Sequence, residues 1–161
     1  MPFSLQSSAF GQNEEIPSHY TCEGDNLSPP LRWIDPPPDT ASFVLIVDDP
    51  DAPDPRAPKM TWVHWVLYNI PASTRELSEG VTSKALPEGT LEGVTDFHRM
   101  SYGGPCPPVG RHRYFFKLYA LSKNLPDLRG PTKGEVEQAM EGAVLGRAEL
   151  VGTYQKQLSA E

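Results

Sequence analysis

Phe43-Val44-Leu45-Ile46-Val47 is an unbroken apolar run rich in β-branched side chains, and it stops at Asp48-Asp49-Pro50. A run of that length fits a buried strand better than a helix. Trp62 to Ile70 and His112 to Leu121 read as strands for the same reason. In the first, a period of two places Trp62, His64, Val66 and Tyr68 on one face and Val63, Trp65 and Leu67 on the other. In the second, His112 and Tyr114 share a face. Weaker strand patterns lie near Pro2 to Gln6, Leu31 to Ile34 and Glu92 to Asp96, and a last strand is expected from Arg147 to Gln155. One helix is signalled: Thr132 and Glu135 have capping-box spacing, Pro131 stands just outside, and Val136, Ala139, Met140, Ala143 and Val144 recur at helical intervals, with Gly146 as its expected end. Helix and strand follow one another only once, so the alternation of a parallel α/β sheet is missing. The expected fold is mainly β, a two-sheet antiparallel β-sandwich with one helix in the C-terminal half.

The chain of 161 residues suits one domain, 1–161. Its 18 prolines and 13 glycines limit helix length. The proline clusters Pro36-Pro37-Pro38 and Pro50 to Pro58 fall between strands and read as stiffened loops rather than linkers. The formal charge is −7. No stretch gathers lysine and arginine as a phosphate-backbone binder must, so nucleic acid is not an expected partner. No apolar run approaches the roughly 20 residues a bilayer demands, and the first residues lack basic and apolar leader regions. A cytoplasmic protein without integral membrane association is therefore expected, with Cys22 and Cys106 as free thiols because that compartment keeps thiols reduced.

Three clusters carry candidate chemistry. Asp48-Asp49-Pro50-Asp51-Ala52-Pro53 ends a buried strand, where alternation puts Asp49 on the face of Phe43, Leu45 and Val47; acidic residues and prolines also simply make turns. His64 lies in a strand with two apolar faces, where a histidine is more often a hydrogen-bonded core residue than a ligand or base. The third cluster runs from Tyr102 through Gly103-Gly104-Pro105-Cys106-Pro107-Pro108 to His112 and Tyr114, and its glycines allow backbone amides to approach an anion. Two histidines, carboxylates, a phenol and loop amides together suit an oxyanion. Carboxylates facing such a ligand would repel it unless a proton or water intervened.

The Asp-Pro-Asp-Ala-Pro motif at Asp49 to Pro53, Trp-x-His at Trp62 to His64, and the Gly104, His112 and Tyr114 spacing resemble the signature regions of the phosphatidylethanolamine-binding proteins. Ile16-Pro17, Tyr20 to Gly24, Leu27 to Trp33 and Gly103 to Pro108 resemble the short bacterial and archaeal Raf kinase inhibitor-like branch. The likeness runs from about Phe3 to Tyr154. Thr95-Asp96-Phe97-His98 and Ser101 depart from the usual pattern of that branch. The resemblance implies a pocket for phosphate, acetate or a phospholipid head group, lined by Asp49, Asp51, His64, His112 and Tyr114. Gly104 would offer its amide, and Ala52, Pro53, Trp62, Pro105 and Cys106 would form walls. It also implies a cis peptide bond among the loop prolines. The function so implied is regulation or inhibition of a kinase or protease, with no cofactor, no catalytic residue and room for a homodimer. The alternative is a hydrolase in which His64, His112 and Asp49 bind a metal or act as acid and base.

Overall fold

The apolar run at 43–47 sits in a long strand buried on both sides, and the rest of the chain is arranged around it. The structure, a computed structural model, describes residues 2–156; Met1 and residues 157–161, the ends of the expected domain, lie outside the described residues. In chain order the elements are β1 (Ser4–Gln6), β2 (Glu14–Glu15), β3 (Leu31–Ile34), β4 (Ser42–Ala52), β5 (Met60–Pro71), β6 (Glu76–Leu77), β7 (Leu91–Glu92), β8 (His112–Leu121), the helix α1 (Lys133–Met140) and β9 (Val144–Tyr154). They form a three-stranded sheet ordered β1-β3-β6 and a six-stranded sheet ordered β2-β9-β8-β4-β5-β7. The pairings are antiparallel except that of the two-residue β2, which runs parallel to β9 and corrects the all-antiparallel expectation.

The main core lies between the sheets. Leu5, Leu31, Trp33 and Leu77 of the small sheet meet Phe43, Leu45, Val47, Trp65, Leu67, Phe116 and Leu118 of the large one. Alternation accounts for both contributors: Leu31 and Trp33 are buried while Arg32 and Ile34 are exposed, and His112, Tyr114, Phe116, Leu118 and Ala120 of β8 point inward. A second apolar layer covers the outer face of the large sheet, where Val136 and Met140 of α1 pack with Val44, Ile46, Val66 and Tyr68. Adjacent β4 carboxylates therefore serve opposite faces. Asp48 is buried on the outer side between Lys117 at 3.1 Å and Lys133 of α1 at 2.7 Å, whereas Asp49 turns inward. Two cations on one buried carboxylate offset a desolvation cost of several kcal/mol.

The capping box forms as the sequence implies: the Thr132 side chain accepts from Glu135 N at 3.2 Å and Glu135 Oε1 accepts from Thr132 N at 2.9 Å. The helix stops at Met140, six residues short of Gly146. Gly142, at φ 78°, reverses the chain, and Val144 already belongs to β9. Gly146 is instead a strand residue whose added Cβ would come within 2.8 Å of Pro37. The strand expected from Glu92 to Asp96 is reduced to β7. Beyond it the chain follows β5 irregularly, with Gly93 N on Val66 O and Asp96 N on Val63 O.

Cys22 and Cys106 are joined by a disulfide, with Cα atoms 5.4 Å apart, so the expectation of two free thiols is overturned. The expectation rested on compartment alone, while the fold lays segment 20–26 directly on the 102–106 loop. Tyr102 Oη donates to Tyr20 O at 2.8 Å, and Cys22 N donates to Pro105 O at 3.1 Å. Thiol titration of the unfolded, unreduced protein should find no reactive groups from these two cysteines, and both after reduction. Replacing both by serine should lower stability in denaturant unfolding by about 2–5 kcal/mol, because the bond closes a long loop in the unfolded chain.

Candidate functional site

Two β-bulges decide which side chains face the cavity at the end of the large sheet. Opposite Val47 and Asp48 of β4 stand Trp65 and Val63 of β5, so His64 is the extra residue. The bulge turns Trp62 and His64 to the inner side along with Trp65 and Leu67, and leaves Val63 outside with Val66 and Tyr68. The simple alternation expected for β5 is broken there. It also points the His64 carbonyl at the loop, where it accepts from Gly103 N at 3.0 Å, while His64 Nδ1 donates to Gly103 O at 2.6 Å.

The second bulge lies in β4, where Asp49 and Ala52 stand opposite Trp62 and Met60. Three steps match two, so Asp51 leaves the inner face and Ala52 stays on it. Asp49 Oδ1 accepts from Asp51 N at 2.7 Å, and the Ala52–Pro53 peptide is cis, as the resemblance implies. Asp51 pairs outward with Arg113, whose N, Nε and Nη2 donate at 2.9, 3.0 and 2.9 Å. That guanidinium holds the Asp51 carboxyl below the usual carboxylate range.

The result is a cavity of about 370 Å³ lined by Asp49, Ala52, Pro53, Met60, Trp62, His64, Phe97, Cys106, Pro107, Pro108, His112 and Tyr114. Its buried members are mostly polar and its exposed ones apolar: Asp49, His64, His112 and Tyr114 are buried, whereas Pro53, Met60 and Pro108 are exposed. The rings form a continuous wall. Trp62 and His64 meet Phe97 edge-on at 5.5 and 5.3 Å, His64 meets Tyr114 edge-on at 5.2 Å, and Tyr114 stacks on His112 at 6.4 Å.

His112 is fully engaged. Nδ1 bonds Asp49 Oδ2 at 2.6 Å, and Nε2 faces Val109 O at 2.8 Å and Pro53 O at 3.1 Å. The two carbonyls require a proton on Nε2, and one further proton is shared between Nδ1 and Asp49 Oδ2. Tyr114 is the opposite case. Its hydroxyl is buried and makes no well-formed hydrogen bond within the protein, although it lies close enough to Asp49 for that carboxylate to act on it. Burial, and then the Asp49 charge, push its ionisation far above the usual phenol value, so it keeps its proton and remains a donor.

Comparison with known proteins places this geometry. A sequence model described as phosphatidylethanolamine-binding protein matches residues 6–155. The chain belongs to that family. A UPF0098 protein of Methanothermobacter thermautotrophicus is 47% identical over 154 residues, covering 95% of this chain and 99% of the relative. The crystal structure of a phosphatidylethanolamine-binding protein homologue of Chlamydia trachomatis superimposes with a TM-score of 0.88 at 39% identity, covering 96% of this chain and 98% of the other. Escherichia coli YbcL, described as a new member of the mammalian family, gives 0.87 at 30% identity over 98% and 100% of the two chains.

Of the residues that family resemblance marks, Asp49, Ala52, Pro53, Trp62, His64, Cys106, His112 and Tyr114 do converge on the cavity. Asp51, Gly104 and Pro105 do not line it. Asp51 is carried out by the bulge. Gly104 gives its amide to Asn26 Oδ1 at 2.8 Å, and an added Cβ there would lie 2.3 Å from Tyr20 O, so its lack of a side chain serves the packing of two loops. Pro105 takes the Cys22 amide on its carbonyl. Sequence reasoning missed Met60, Phe97, Pro107 and Pro108 as wall residues. The prolines stood in a loop already singled out, and Phe97 stood in the 95–98 segment noted for its departure from the branch pattern; its ring packs where a Cβ on Gly103 would stand, within 2.3 Å. Among the described residues no group of three His, Cys, Asp or Glu is disposed to hold a metal ion, and none is long and apolar enough as a helix to cross a membrane.

Burial, opposed in part by the Gly103 carbonyl, lowers the His64 pKa below its ordinary value. Unfolding near pH 6 therefore takes up a proton at His64, and its contribution to stability declines as pH falls below the ordinary value of about 6.5. An NMR titration assigned with His64→Gln should place the His64 midpoint under 6.5; a midpoint above it would contradict the burial argument.

Proposed function

We propose that the chain is a binding protein whose cavity holds a small anionic group, such as phosphate, acetate or the phosphate of a phospholipid head group. It would serve as a regulatory or inhibitory module toward a kinase or protease rather than as an enzyme. The observation that carries this reading is the buried Tyr114 hydroxyl, a donor beside Asp49 that makes no well-formed hydrogen bond within the protein, in the wall of a cavity of ligand size. A ligand oxygen would satisfy it. The apolar mouth formed by Trp62, Phe97, Met60 and Pro108 would take the organic part of such a ligand. The family name and that of the Chlamydia trachomatis homologue agree with binding of a phosphorylated amphiphile.

The hydrolase alternative loses its central residue. With Nδ1 on a carboxylate and Nε2 on two carbonyls, both nitrogens of His112 are engaged within the protein, which argues against it as a metal ligand or base. Its work is positioning: it holds Asp49, the 53 carbonyl and the 109 carbonyl around one ring.

Calorimetric titration with phosphoethanolamine should show saturable one-to-one binding, and its absence would remove the reading. Tyr114→Phe should weaken that binding by about 1.5–3 kcal/mol, the worth of a hydrogen bond to a charged group.

A further inference from the structure

A tetrahedral anion in this cavity meets more acceptors than donors. Asp49 presents a buried carboxylate whose two oxygens are held by Asp51 N and His112 Nδ1. The His112 protons are all committed to Asp49, Pro53 and Val109. The Gly104 amide is taken by Asn26, and Arg113 faces outward on Asp51. His64 uses Nδ1–H on Gly103 O, so its remaining nitrogen, Nε2, is a lone pair in the neutral ring. That leaves the Tyr114 hydroxyl, beside Asp49 but without a well-formed bond of its own, as the available donor among the buried wall residues.

We propose that the cavity selects oxyanions that bring their own proton, singly ionised phosphomonoesters and phosphonates, over anions of the same shape and charge that lack one, such as sulfate monoesters. The inference rests on the anion-binding reading above. A P–OH would donate to Asp49 or to His64 Nε2, while another ligand oxygen accepts from Tyr114 Oη. The one proton serves one of the two acceptors: given to Asp49 it sets a donor against the carboxylate, and given to His64 it satisfies the imidazole lone pair. A sulfate monoester offers only acceptors, so it would leave His64 and Asp49 facing like-polarity oxygens in a site where unpaired polar groups are costly. The titratable groups around this contact are Asp49 from β4, His112 and Tyr114 from β8, and His64 from β5, with Asp48 and Asp96 acting on His64 and Asp51 on Tyr114 from further off.

The test compares methyl phosphate with methyl sulfate at pH 5.5, where both are monoanions because a phosphomonoester loses its second proton near pH 6. Wild-type protein should bind methyl phosphate at least tenfold more tightly by calorimetry or NMR titration. As pH rises to 8, methyl phosphate affinity should fall at least tenfold. Methyl sulfate, which takes no proton in this range, reports any change in the charge of the protein itself. Asp49→Asn, which exchanges a carboxylate for an amide able to donate, should narrow the gap between the two ligands to under threefold; if that variant does not fold, the wild-type pH series decides alone. Equal affinity for the two esters, or tighter binding of methyl phosphate at pH 8, would overturn the selectivity while leaving anion binding intact. No binding of either ester would overturn both readings.

Discussion

The buried contact between Asp49 and His112 governs the rest of the site. A carboxylate and an imidazole with 4% and 1% of their side-chain surface exposed cannot rely on water, so each must be satisfied by protein. His112 meets that need by reaching three oxygens from β4, the cis-proline loop and the loop before β8. Those three segments are held around one ring, and the cavity is the space left beside it. The same commitment occupies both ring nitrogens of a residue that lines the cavity, which is why the donor inventory of the buried wall falls to Tyr114.

Much of this was legible from side-chain pattern. The central strands, the β3 and β8 alternation and the capping box followed from period and chemistry local to each segment, and each appears at or near its expected residues. Asp49, His64, His112 and Tyr114 were readable as a group because strand parity brings the first and the last two inward. The remainder depended on register between strands. No local pattern announces that Trp65 and Val63 will stand opposite consecutive residues of β4, yet that pairing turns His64 inward. The same holds for the bulge after Asp49, which converts Asp51 from an expected ligand contact into the partner of Arg113.

Loop chemistry was misread for a related reason. Gly104 looked like an amide donor for an anion, and its true constraint is the approach of Tyr20 and Asn26 from a segment some eighty positions earlier. Cys22 and Cys106 were judged by compartment, although the hydrogen bonds that dock 20–26 on 102–106 bring them together whatever the compartment. Phe97 entered the wall through a contact with a glycine that leaves no trace in composition. In each case the deciding neighbour is distant along the chain, and local reasoning has no access to it.

The bond between Cys22 and Cys106 also gives the molecule the topology of a ring with two tails. The covalent circle contains β3 through β7, including both strands that carry Asp49 and His64. A single cut in the exposed 56–59 stretch between β4 and β5 would open the circle without dividing the molecule. Both halves of the cavity would stay tethered at effectively intramolecular concentration, so a nicked chain retains the means to reassemble its pocket after each local opening. Backbone continuity between β4 and β5 is thus dispensable for keeping the site in one piece, which makes that loop the natural place for the chain to tolerate insertion or cleavage.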